Sequence, residues 1–216
     1  MTVDFPSRLI FKPVVDCPRI EGITVDGDLR DWQAIAPLPP LCTLDGIEPF
    51  AEMKIAYNDS GIYLATFTER ERAVAVSRQR PHSADSLQVW LDTRGGLSGH
   101  RATRFCHYFI LLPKGGGRGR DDPVGRQMEI RRASDQPTLA RPEDITIAIH
   151  QDETSYSLEA LLPAAILNGF APEPGQTIGF TYLITDLVRG RQTYACGDEF
   201  PYSYDPSTWG RLRLGQ

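Results

Sequence analysis

The chain has little of several things that would assign it quickly. Among 216 residues it carries three lysines (Lys12, Lys54 and Lys114), three tryptophans and four cysteines. Net charge is −5 at neutral pH, so the excess of basic residues that nucleic acid or an anionic membrane demands is missing. No window approaches the roughly 20 apolar residues of a membrane span. Cys17, Cys42, Cys106 and Cys196 are far apart in sequence, which leaves no CxxC pair and no zinc spacing. Four cysteines admit three disulfide pairings and the sequence selects none; isolated buried thiols suit such scattered positions. The segment before Pro18 has two prolines, an early Asp4 and no apolar run of signal-peptide length. A cytoplasmic location is the default expectation, with export if a leader is missing. There is no GxSxG, HExxH or phosphate loop, and Gly115-Gly116-Gly117-Arg118-Gly119 lacks the Lys-Ser/Thr ending of the last.

What is present reads as β structure. Gly and Pro together make up 36 residues, about one and a half times the usual background, which implies many turns. Met53, Ile55 and Tyr57 alternate with Glu52, Lys54 and Ala56. Asn58-Asp59-Ser60-Gly61 then supplies a turn, and Ile62, Leu64 and Thr66 alternate with Tyr63, Ala65 and Phe67. Period-2 alternation around such a turn predicts a hairpin. Leu87, Val89 and Leu91 form one face of a further strand, with Gln88 and Trp90 on the other. The next strand sets Phe105, His107, Phe109 and Leu111 against Tyr108, Ile110 and Leu112. More strands are expected at 128–133, 144–151, 156–161, 178–185 and 210–214, and short edge strands at 14–15 and 20–23.

Asp28 is placed to cap a helical turn over 29–34, and Pro163 to open another. Residues 69–84 read as a long loop, 114–127 as a flexible one, and the aromatic tail as irregular until Trp209. The fold class is all-β: one antiparallel β-sandwich spanning residues 23–216, preceded by a lead-in or edge strands at 1–22.

Six stretches in this order resemble family 9 carbohydrate-binding modules and the wider group of DOMON-like sandwich domains. They are Val25-Asp26-Gly27-Asp28-Leu29-Arg30-Asp31-Trp32; Ala56-Tyr57-Asn58-Asp59-Ser60-Gly61-Ile62-Tyr63-Leu64; Asp85-Ser86-Leu87-Gln88-Val89-Trp90-Leu91-Asp92; Tyr156-Ser157-Leu158-Glu159-Ala160-Leu161-Leu162-Pro163; residues 175–180 with Asp186; and Trp209-Gly210-Arg211-Leu212. The resemblance implies a non-catalytic domain that stacks aromatic rings on sugars, often with structural calcium. Some DOMON relatives hold haem through His and Met, for which Met128 with His107 or His150 would be the pair here. The chain departs from the family's clamp of two loop tryptophans, since Trp32 and Trp209 sit in structural motifs and Trp90 lies on a strand.

Three groups of side chains are candidates for ligand contact. Gln88, Trp90 and Tyr108 face away from the expected core and would form an exposed platform, unless a loop covers that face. Arg78, Arg80 and His82 lie before one central strand, and Arg101, Arg104 and His107 lie at the start of the next. Were those ends to meet, they would make a cationic pocket for carboxylate, sulfate or phosphate. Tyr202 and Tyr204 belong to the tail that helps build the site in related modules. Asp26, Asp28 and Asp31 are closely spaced oxygen donors of the kind calcium takes, although Asp is also common in turns. Asp85, Asp92, Glu159 and Asp186 read as strand-end turn formers rather than a catalytic carboxylate pair.

The expectation is a carbohydrate-binding module for a poly- or oligosaccharide, including acidic or sulfated ones. It requires no cofactor and leaves room for a protein partner. The rivals are an interaction or scaffold domain without a sugar site, and a hydrolase-associated or haem-binding protein on the same fold.

Overall fold

The computed structural model describes Arg8, residues 12–69, Val74, and residues 84–96 and 99–216. Among the described residues eleven strands follow one another: β1 Val14–Cys17, β2 Ala51–Asn58, β3 Gly61–Glu69, β4 Ser86–Asp92, β5 Cys106–Gly116, β6 Asp122–Met128, β7 Thr146–Gln151, β8 Ser155–Pro163, β9 Thr177–Asp186, β10 Gly190–Thr193 and β11 Gly210–Leu214. They form two sheets. The larger runs β1-β11-β9-β4-β5-β6, with β10 also paired to β9; the smaller runs β2-β3-β8-β7. Every pairing between strands is antiparallel except β1 with β11. The first 22 residues therefore contribute a strand to the same sheet, while residues 20–23 form none.

Alternation decides which residues meet between the sheets. Met53, Ile55, Ile62, Leu64, Leu158 and Leu162 from the small sheet pack against Leu87, Val89, Leu91, Phe109, Phe180 and Tyr182 from the large one, all at 2% exposure or less. The two outer faces are covered as well. Over the small sheet lie residues 20–35, whose Trp32 and Ile35 pack on Ala56, Tyr63 and Ala65. A 3-10 turn at Leu29–Trp32, capped by Asp28 as expected, delivers Trp32 there. Its indole N–H donates to Glu159 Oε1, while Glu159 Oε2 accepts from Gly27 N at 2.6 Å and Asp26 N at 3.1 Å. Glu159 is thus a fully buried mid-strand anchor rather than a strand-end turn former.

Two expectations about elements fail. Residues 122–128 are strand β6, not loop, and 128–133 lie largely beyond it. Pro123 is tolerated because β6 is the edge of its sheet. Gly125 is required because a Cβ there would sit 2.5 Å from Ile145 Cγ2. A glycine-rich composition concealed a strand whose glycine makes room for a packed neighbour. The four cysteines are all buried and free, which settles the pairing question.

Candidate functional site

The outer face of the large sheet carries the predicted side chains, in an altered setting. Gln88 and Trp90 on β4 and Tyr108 on β5 do face away from the central core. They are not exposed, however: Trp90 is 1% accessible, Tyr108 7% and Tyr202 3%. The tail from Cys196 to Trp209 and the segment around Ile130 fold across this face and bury a second apolar cluster. Trp90 and Tyr108 stack on each other at 4.4 Å, and Tyr202 meets Trp90 edge-on at 5.5 Å. Trp209 holds the roof in place by donating its indole N–H to Tyr202 O at 2.7 Å. The exposed platform is therefore a covered one. Alternation shows which side of the sheet a residue takes, not whether another segment lies on top.

What reaches solvent is the polar margin of that roof. Arg191 on β10 donates to the Tyr202 hydroxyl at 2.7 Å, and that hydroxyl donates to Asp198 Oδ1 at 2.8 Å. Arg191 and Asp198 also pair directly at 3.1 Å, with side chains 49% and 46% exposed. Beneath them the Tyr108 hydroxyl donates to Gln88 Oε1 at 2.6 Å. Burial raises both phenols, Tyr108 and Tyr202, so they remain protonated donors. Exposed Arg126 on β6 points from the same face, aligned with Ile110 and Gln88 across the strands. Half-buried Phe200 and Tyr204 pack against the same apolar cluster. A half-exposed carboxylate beside a guanidinium and a phenol offers fixed acceptors and donors at an apolar border, the chemistry that hydroxyl-rich ligands need. Sequence reasoning missed Arg191, Asp198 and Arg126. A four-residue strand inside an aromatic tail leaves too short a pattern to find.

The described members of the expected cationic pocket, Arg101, Arg104 and His107, do not come together. β4 and β5 are antiparallel, with Leu87 opposite Leu111 and Asp92 opposite Cys106. The entry to β4 and the entry to β5 therefore lie at opposite ends of the sheet, about 20 Å apart at the usual rise per residue. Arg101 and Arg104 stand at the far end from Ser86, and His107 faces the central core with no exposure. Arg78, Arg80 and His82 lie outside the described residues. Tyr204 sits at the rim of the roof, under the Arg132 guanidinium at 4.9 Å.

The three aspartates of the entry motif serve the backbone. Asp26 Oδ1 accepts from Asp28 N, Asp28 Oδ1 from Arg30 N, and Asp31 Oδ2 from Thr24 N. Among the described residues no group of three or more His, Cys, Asp or Glu is placed to hold a metal ion. The haem pair fails on geometry. Met128 stands opposite Tyr108 and so shares the outer face, whereas His107 points inward; His150 belongs to the other sheet. One constellation looks catalytic at first sight, His100 with Asp205 and Ser207. Both the Asp205 carboxylate at 3.2 Å and the Ser207 hydroxyl at 3.0 Å meet the same ring nitrogen, Nδ1, so no relay runs from acid through imidazole to hydroxyl.

A cleft of about 810 Å³ opens elsewhere, between the segments 37–40 and 48–52 and the outer face of β3. Phe67 supplies its ring, and Glu48, Glu52, Glu69 and Arg189 supply its charge. It contains none of the predicted ligand residues.

Residues 31–216 match the family model described as carbohydrate family 9 binding domain-like. No curated protein matches the chain. Among solved structures, a carbohydrate binding module family 9 from Caldicellulosiruptor kristjanssonii in complex with cellotriose is similar, with a TM-score of 0.64 and 15% identity over 94% of each chain. A structure of a family 9 module from the same organism in complex with glucose has a TM-score of 0.64 and 13% identity, covering 94% of this chain and 96% of that one. At such identities the likeness is one of fold.

Proposed function

Because the chain belongs to the carbohydrate family 9 binding domain-like family, we propose that it is a non-catalytic carbohydrate-binding module whose ligand sits at the polar margin of the roofed sheet. The observation that carries this reading is the Arg191–Tyr202–Asp198 cluster, half exposed and joined by hydrogen bonds of 2.7 and 2.8 Å. The Asp198 carboxylate accepts from sugar hydroxyls, and Arg191 and Arg126 donate to them. Phe200 and Tyr204 offer ring surface to the C–H-rich side of a pyranose. Two guanidinium groups on this face extend the range to acidic or sulfated saccharides. The complexes with cellotriose and glucose formed by similar modules support a glucan-type ligand.

Isothermal titration with cellotriose tests the reading. Asp198→Asn and Arg191→Gln each weaken binding at least tenfold while leaving the melting temperature within a few degrees. Wild-type affinity in both variants, or no binding of any glycan by the wild-type protein, would overturn it.

A further inference from the structure

At one end of the large sheet, where β4 leaves, β5 enters and β6 leaves, the chain gathers five arginines: Arg94, Arg101, Arg104, Arg131 and Arg132. All five are exposed. Among the described residues none of them forms an ion pair with a carboxylate, although Arg94 feels the charge of buried Asp92, in a chain whose net charge is −5.

The rim is built rather than loose. The Phe105 ring carries Arg94 at 4.3 Å and Arg104 at 5.2 Å. Arg101 Nε donates to Arg132 O at 2.9 Å. Arg132 holds a left-handed backbone, φ 60°, unusual for a side chain of its size, and lays its guanidinium on Tyr204 while Nη1 reaches the Tyr204 hydroxyl at 3.3 Å. A guanidinium held over a ring face can still turn N–H groups toward an incoming anion. The acids nearest in the chain are largely occupied: Asp92 and Asp135 accept from backbone N–H groups, and Asp205 from Ser207 and its neighbours. Exposed Glu129 only partly offsets the excess.

Crowding five cations that lack ion-pair partners is unfavourable until a counter-charge arrives. Through Arg132, Tyr204 joins the rim to the tail that carries Asp198. We propose that the rim is a second subsite, which takes the carboxylate or sulfate groups of an acidic polysaccharide whose sugar units occupy the margin around Arg191 and Asp198. This rests on the carbohydrate-binding reading above. A glycan suits the rim better than nucleic acid, because the positive region is confined to one end of a molecule that is acidic as a whole.

Affinity electrophoresis in carboxymethyl-cellulose and in hydroxyethyl-cellulose, which share a backbone and differ in charge, tests the proposal. The wild-type protein is expected to bind the anionic polymer at least tenfold tighter. An Arg104→Gln/Arg131→Gln/Arg132→Gln variant loses that advantage and keeps its hydroxyethyl-cellulose affinity, which also reports that it is folded. The matching triple Lys variant retains much of the preference, and raising the salt concentration erases it. Equal wild-type affinity for both polymers, or a preference that survives the Gln substitutions, overturns the rim while leaving the carbohydrate-binding reading intact. Failure to bind either polymer removes both. Duplex DNA bound as tightly as the anionic polymer, and lost in the same variant, overturns the choice of a glycan.

Discussion

Trp90 and Tyr108 stack with their ring planes within 5° of each other and their centroids 4.4 Å apart, under a roof that leaves them 1% and 7% exposed. Neighbours on adjacent strands, they form the floor of the second apolar layer instead of a surface for ligand.

Trp90→Ala should therefore act on stability. Removing a buried aromatic of this size costs about 3–5 kcal/mol, visible as a lower urea midpoint. Trp90→Phe keeps the stack and costs less. A Trp90→Ala protein with wild-type stability that has lost only glycan binding would contradict this placement.

Alternation around the turn at residues 58–61 locates β2 and β3 in register, because a half-buried hairpin writes its inward face into the sequence. The same holds for β4 and β5, whose inner residues were all legible. Contacts between distant segments were not. The roof over Trp90 depends on where a tail some 100 residues later comes to rest. Antiparallel pairing sets Ser86 and Cys106 at opposite ends of β4 and β5 and turns His107 inward, away from exposed Arg101 and Arg104, facts of topology that no local pattern carries. β6 was hidden because Gly125 suits a tight contact with Ile145 and reads locally as loop. The residues of the candidate margin, Arg191 and Asp198, are charged side chains in turns, indistinguishable by type from ordinary solvated ones.

The second outer layer depends on Gly27. Its φ is +91°, and a Cβ would lie 2.4 Å from Ile149 C. Gly27→Ala must displace the turn that donates to Glu159, at a cost of about 2 kcal/mol or more. Glu159→Ala strands the Trp32 indole N–H and two backbone donors, and should cost at least as much. Thermal melts of both variants check this. An unchanged melting temperature in either would show that the latch bears little of the stability.

His107 gives the fold a pH dependence. Burial lowers its pKa to about 4, partly opposed by the backbone of Asn168. Gln127 fixes the neutral form. Its Oε1 accepts from Ala140 N at 2.8 Å, which turns Nε2 toward His107 Nδ1 at 2.9 Å and makes that ring nitrogen an acceptor. The unfolded chain takes up the proton near pH 6.5 and the folded protein only near 4. This residue's contribution is thus constant above about 6.5 and declines as pH falls toward 4, by roughly 3 kcal/mol in total. Urea titrations at pH 7 and 4.5 should show a smaller difference for His107→Leu than for the wild-type protein. An NMR titration placing His107 near 6.5 would contradict the assignment.

The central claim is that a saccharide docks on the margin of the large sheet beside its aromatic roof, and amide shift mapping with cellotriose tests it most directly. The account predicts perturbations centred on Gln88, Arg126, Arg191, Asp198 and Phe200, with Gly27, Trp32 and Glu159 on the opposite sheet unmoved. Saturating cellotriose that shifts none of the first group, or shifts confined to Phe67, Glu52 and Phe50 in the other cleft, would contradict it.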